Sequence, residues 1–186
     1  MVLLQYIGGA SGFLTYLLFA FILYKKSEIF NQNFTTWVLC GIIDIFMTIT
    51  TADGNFWLSL AYGIGSFIVA WVIWYKQKEF LISKWDMIIA IIILFICLPS
   101  YFCFGKNIAI IAGITASIIS FIPQIRETAH YPRKTPIIIY FLFLISDISS
   151  SFGGRDYSIK EISYGIAETG LSIIIIFLVV YNRTRK

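Results

Sequence analysis

Seven apolar stretches, each near the length that spans a bilayer, leave this chain few folds to choose from. They run about Leu3–Tyr24, Thr35–Thr51, Phe56–Tyr75, Trp85–Phe104, Asn107–Pro123, Pro136–Gly153 and Ile162–Tyr181. A helix of about 20 apolar residues crosses the hydrocarbon core. Only 13% of the 186 residues are charged, about half the share expected for a soluble domain. The expected fold is therefore an all-α integral membrane protein with seven transmembrane helices. The first stretch lacks a basic leader and a small-residue cleavage site before a soluble domain, so it reads as a retained helix.

Lysine and arginine positions give the expected orientation, because cytoplasmic loops carry the excess. Alternate loops and the tail hold eleven of these residues on one side: Lys25, Lys26, Lys76, Lys78, Lys84, Arg126, Arg133, Lys134, Arg183, Arg185 and Lys186. The other side holds three: Lys106, Arg155 and Lys160. This places the N-terminus outside and the C-terminus in the cytoplasm. The glycosylation patterns at Asn33 and Asn182 then fall on the cytoplasmic side and are discounted. Tyr24, Trp57, Trp74, Tyr75, Trp85 and Tyr181 sit at stretch ends, where amphipathic rings favour the headgroup zone. The net charge of +4 is a topology signal and not a nucleic-acid footprint. Cys40, Cys97 and Cys103 have no CxxC or Cys/His pattern and read as buried free thiols, not metal ligands.

The two ends of the chain echo each other. Trp37 precedes Asp44 by seven residues, and Tyr62-Gly63 follows; Tyr140 precedes Asp147 by seven, and Tyr164-Gly165 follows at nearly the same distance. Each half begins with a glycine-containing helix (Gly8, Gly9 and Gly12; Gly113) and closes on tyrosine and a basic residue (Tyr75-Lys76; Tyr181-Asn182-Arg183). The expected organisation is a three-helix repeat over residues 1–80, a linker helix over 81–106 and a second repeat over 107–186. The linker helix turns a duplicated odd-numbered unit into parallel repeats, one of the repeat architectures of transporters.

Phe121-Ile122-Pro123-Gln124-Ile125, closing the first helix of a repeat on the cytoplasmic side, resembles the PQ-loop motif. The 3+1+3 layout is similar to the SWEET and lysosomal PQ-loop transporters. The likeness spans the chain in layout, but the motif only in the second half, since Ile22 and Leu23 stand at the matching place in the first. It implies transport by alternating access with Pro123 as a hinge. From the residues alone, Pro123 is equally a helix terminator, and Gln124 either lines an inner gate or faces the interface. In SWEET relatives an asparagine on the third helix of each repeat meets sugar. This chain offers Tyr62 and Ser66, and Tyr164 and Glu168, in those helices.

Asp44, Asp147 and Glu168 interrupt otherwise apolar helices. A charged carboxylate at a helix centre costs about 2.5–3.5 kcal/mol on insertion scales. At 1.5 Å per residue the three lie about 13, 16 and 20 Å from their cytoplasmic helix ends, near the midplane. Trp37, Gly41, Asp44, Thr48 and Thr51 share one face of the second helix. Tyr140, Asp147, Ser150, Ser151 and Gly154 repeat that stripe on the sixth. Tyr164, Glu168 and Ser172 line up on the seventh, against Tyr62, Ser66 and Ala70 on the third. These acids read as a proton relay or cation-binding set facing a shared cavity; the structural alternative is carboxyls bonded to neighbouring hydroxyls as interhelical glue. Pro99 reads as a bend, His130 as a solvated loop residue, and the Gly8/Gly12 pair as close packing within the bundle.

The expected function is a secondary transporter for a small polar or cationic solute, coupled to or sensitive to protons, in a prokaryotic cytoplasmic membrane. The alternatives are a SWEET-like sugar uniporter and a non-transporting receptor of similar fold, like the KDEL-receptor relatives. No nucleophile–base pair, metal-binding spacing or phosphate loop points to an enzyme or a cofactor. The partners expected are a small solute, protons and anionic lipid near Arg126, Arg133 and Lys134, with no nucleic acid. With one Pro-Gln, rocking should be asymmetric, the fifth helix moving more than the first.

Overall fold

A computed structural model describes residues 2–25, 34–78, 82–154 and 157–184. Lys26, Asn33, Arg155, Arg185 and Lys186 lie outside them. Among the described residues the chain is all helix and carries no strand: α1 (Val2–Lys25), α2 (Phe34–Thr50), α3 (Trp57–Gln77), α4 (Lys84–Phe104), α5 (Lys106–His130), α6 (Ile137–Phe152) and α7 (Ile159–Thr184). A helix satisfies its own backbone groups, as lipid demands. Helices α1, α3, α4, α5 and α7 are long and apolar enough to cross a membrane. With 17 and 16 residues, α2 and α6 are shorter. At 1.5 Å per residue they reach about 26 and 24 Å.

Helix α1 packs on α3 and α6, α2 on α3 and α5, and α7 on α6 and α5. Glycines allow the closest approaches. An added Cβ at Gly8 would lie 2.8 Å from the backbone nitrogen of Ser150, and one at Gly12 2.8 Å from the Ser146 hydroxyl. The GxxxG pair therefore seats α1 on α6, antiparallel and within the bundle. Gly65 makes room for Tyr16, Gly113 for Met47 and Gly165 for Ser151. The main core joins Tyr16, Phe19, Met47, Tyr62, Tyr140, Phe143, Tyr164, Ile175 and Val179. In the isoleucine run of α7, Ile173 and Ile174 face outward while Ile175 is buried in the core.

Helix α4 lies to one side. Ile89, Ile92, Ile93 and Cys97 pack on Ile43 and Phe46 of α2 and on Ala109, Ala112 and Ala116 of α5. Its start is a capping box: Ser83 accepts from the Asp86 N–H at 3.1 Å, and Asp86 accepts from the Ser83 N–H at 2.6 Å. The other Asp86 oxygen accepts from the Thr36 hydroxyl at 2.6 Å, tying α4 to the start of α2. Two π-helical turns, Ile93–Cys97 and Ser100–Phe104, flank Pro99. Wider turns accommodate a residue that cannot donate to the ladder.

The stretch after Pro123 differs from its expected form. The apolar helix was expected to end there, with a basic loop to Pro136. Instead the helix breaks its regularity at Phe121 and continues as Ile122–His130. Proline is tolerated in the first turn of a helix, where its missing N–H would have no partner anyway, so Pro123 restarts the helix instead of stopping it. His130 is thus helical, and its Nδ1 lies 2.8 Å from the Arg126 carbonyl. Arg183 closes the short remaining turn by donating to the carbonyls of Pro132 and Thr135, each at 3.2 Å. The cysteines are all free, as expected, but only Cys97 is fully buried; Cys40 is half-buried and Cys103 exposed.

Gly8→Ala should cost about 1–3 kcal/mol through overpacking against α6 backbone. Gly170→Ala, with nothing within 4 Å of the new Cβ, should be neutral or gain up to about 1 kcal/mol from helix propensity. Unfolding of both variants in the same detergent checks the difference.

Candidate functional site

Asp44 of α2 and Asp147 of α6 make reciprocal bonds across the bundle. The Tyr164 hydroxyl donates to Asp44 Oδ1 at 2.6 Å, and the Tyr62 hydroxyl donates to Asp147 Oδ1 at 2.5 Å. Each aspartate also accepts on its second oxygen from a serine: Ser66 to Asp44 Oδ2 at 3.3 Å, and Ser172 to Asp147 Oδ2 at 3.1 Å. Each tyrosine therefore pairs with the aspartate of the other half of the chain, while each serine serves the one in its own. The antiparallel packing of α2 on α3 and of α6 on α7 brings the serines into reach. Ser66 lies 3.3 Å from the Tyr16 hydroxyl as well, so its single proton serves one acceptor at a time.

Glu168 of α7 is 3% exposed and is held differently. The Ser117 hydroxyl of α5 donates to Oε1 at 2.6 Å. Among the described residues, none of the three carboxyls forms an ion pair.

A cavity of about 40 Å³ lies between the helices. It is lined by Tyr16, Thr36, Trp37, Cys40, Asp44, Tyr62, Ser117, Ser120, Phe121, Gln124, Tyr140, Phe143 and Glu168. This room suits a few water molecules at about 10–15 Å³ each, whereas small-molecule sites run to about 300–1,000 Å³. The room around the polar centre is narrow in this conformation. Of the sequence-derived candidates, the cavity unites Asp44, Glu168, Trp37, Tyr62, Tyr140 and Gln124. Asp147, Tyr164 and Ser66 stand behind its wall. Pro123 lies beside it, next to Gln124.

Several lining groups are unsatisfied. The Trp37 indole N–H and both amide atoms of Gln124 are buried without a hydrogen-bond partner. The Tyr140 hydroxyl faces the Gln124 amide as its nearest hydrogen-bonding group, but the pair falls outside normal hydrogen-bond geometry. Aromatic rings make the wall: Tyr16 and Phe143 are 4.8 Å apart between centroids, Tyr62 and Phe143 5.4 Å, and Tyr16 and Trp37 6.3 Å.

A second polar cluster closes the opposite end of the bundle. Gln5 donates to Glu161 Oε2 at 2.6 Å. The Asn55 amide donates to the Ser150 carbonyl at 2.9 Å, the Ser150 hydroxyl at 2.8 Å and the Glu161 carbonyl at 3.2 Å. Just outside it Lys106 is paired with Asp53 and holds that carboxyl below the ordinary aspartate range. Gln5, Asn55 and Glu161 escape a pattern search built on helical stripes, since each sits in the first turn of a helix or just before one. The available signal was Gln5, a lone amide in an apolar run.

No protein-family model, curated protein or solved structure matches this chain.

Tyr62→Phe and Tyr164→Phe should each cost about 1–3 kcal/mol, because each leaves a buried carboxyl oxygen short of a donor. Tyr24→Phe at an exposed ring should stay within about 0.5 kcal/mol. Denaturation in detergent measures all three.

Proposed function

We propose that this chain is a secondary transporter that moves a small polar or cationic solute across a membrane by alternating access, coupled to protons. The observation that carries it is the convergence of Asp44 and Glu168, from different halves of the chain, on one narrow internal cavity without a neutralising cation among the described residues. Carboxyls in such a place are costly and mark solute, ion or proton sites. The membrane setting fits the apolar rings and aliphatic side chains that cover the outside of the bundle, among them Trp71, Phe95, Phe102 and Phe177.

Seven crossings in a 3+1+3 parallel repeat, with the N-terminus outside, complete the proposal. The pairing of α1 with α3 and α2 with α3 has its counterpart in α5 with α7 and α6 with α7, while α1·α6 mirrors α5·α2. The reciprocal Tyr62–Asp147 and Tyr164–Asp44 bonds follow the same exchange. Helix α4 stands apart, as a linker would. This supports the resemblance to PQ-loop and SWEET transporters, and the membrane of choice is a prokaryotic cytoplasmic one.

The cavity opens the question of access. Thr36, Gln124 and Tyr140 line it near the helix ends that carry most of the lysines and arginines. The Gln5–Asn55–Glu161 cluster shuts the other end. On the positive-inside rule, this conformation is closed toward the outside and nearest to opening toward the cytoplasm. Helix α5 is irregular at Phe121 and carries Pro123, whereas α1 is unbroken from Val2 to Lys25. Rocking is therefore expected to be larger in α5.

Purified protein in proteoliposomes should take up a small solute, faster with an imposed pH gradient than without. Glu168→Gln and Asp44→Asn should each cut flux at least about tenfold, the worth of one lost charged hydrogen bond or more. Intact flux and intact pH response in both variants would remove the acids from the mechanism.

A further inference from the structure

We propose that the cavity recognises a small organic amine: a cationic ammonium head held by Glu168 and the aromatic wall, with an uncharged hydrogen-bond acceptor in its tail. The inference rests on the transport proposal for the cavity being the solute's, and it names the solute's class.

The acceptor inventory singles out Glu168. Asp44 and Asp147 each have both oxygens engaged by a tyrosine and a serine. Glu168 Oε1 is engaged by Ser117, and Oε2 receives no protein donor among the described residues. An ammonium has three donors to give. Among the described residues no lysine, arginine or histidine lines the cavity, so a neutral solute would leave this carboxylate uncompensated. A cationic head compensates it. The surrounding rings add to the preference, since aromatic faces attract cations within about 6 Å and more strongly when water is excluded.

The tail is argued from Gln124, independently of the acids. Gln124 is 5% exposed and lines the cavity, yet neither its amide nitrogen nor its oxygen has a partner at normal hydrogen-bond geometry, the nearby Tyr140 hydroxyl included. The Trp37 indole N–H, also in the lining, is likewise without one. Buried donors left unpaired are unfavourable. A ligand acceptor that reaches them when the cavity widens satisfies both. That acceptor is uncharged, because a carboxylate here would be buried against two neutral donors with no cation among the described lining residues. A hydroxyl or carboxamide fits; a zwitterionic amino acid does not.

The test uses ethanolamine and propanolamine as amino-alcohol probes, ethylene glycol as the neutral analogue, glycine as the zwitterion and propylamine as the amine without a tail acceptor. Binding to purified protein is followed by calorimetry, and exchange of labelled ethanolamine in proteoliposomes reports transport. The amino alcohols should bind saturably, and ethylene glycol and glycine at least about tenfold more weakly. Glu168→Gln should lose the same factor for every amine while its thermal unfolding stays near that of the parent, because the amide oxygen still accepts from Ser117. Gln124→Ala should weaken the amino alcohols and leave propylamine unchanged. Equal binding of ethylene glycol or glycine, or amine binding indifferent to Glu168→Gln, overturns the inference. Amines that bind through Glu168 but never exchange would sustain this site and overturn the transport proposal. Exchange of another solute, with no amine bound, would do the reverse.

Discussion

The centre of this bundle answers to one constraint: Asp44, Asp147 and Glu168 sit among apolar helices with no ion-pair partner among the described residues. At about 2.5–3.5 kcal/mol apiece for an unassisted charge at helix centre, they are tolerable only with donors. Asp44 and Asp147 each have two. Their tyrosine donors come from the opposite half of the chain, so the bonds that make the acids tolerable also bolt the halves together. Glu168 has a single donor and the same lack of charge compensation. Asp147 lies behind the cavity wall and Asp44 at its edge, each with two donors, while one Glu168 oxygen has none among the described residues.

The glycines and serines follow from that arrangement. Bonds of 2.5–2.6 Å between helices require backbones close together, and Gly12 lies where an added Cβ would reach 2.7 Å from the Tyr62 ring. The small side chains along α1 bring α3 and α6 to the distance at which Tyr62 meets Asp147. The end held by Gln5, Asn55, Ser150 and Glu161 is tied by several hydrogen bonds between helices and leaves the Asn55 oxygen unpaired, whereas the other end leaves Trp37 and both Gln124 amide atoms unpaired. A bundle that moves would open first where fewer bonds must break.

Much of this was legible in the sequence because hydropathy is a strong signal. Each helix except α5 lies within a few residues of its apolar run, and Asp44, Asp147 and Glu168 stood out as interruptions. Two things were not legible. The helix continuing to His130 was hidden because proline reads as a stop, although it is harmless in a first turn. The partner of each acid was hidden because helical spacing places Tyr62 near Asp44 along the chain, whereas the packing of α1 between α3 and α6 delivers Tyr62 to Asp147. Periodicity reports which face a residue occupies; it does not report which helix that face meets.

Cys40 lies in the cavity wall and gives the most direct test of a centre exposed alternately to the two sides. With Cys97 and Cys103 replaced by serine, a small membrane-impermeant cationic thiol reagent is applied to oriented vesicles from either face. Reaction at Cys40 should be faster from the face bearing Gln124, and Gln5→Ala, which loosens the opposite cluster, should shift it toward the other face. Equal rates from both faces, unmoved by Gln5→Ala, would contradict an alternately gated cavity.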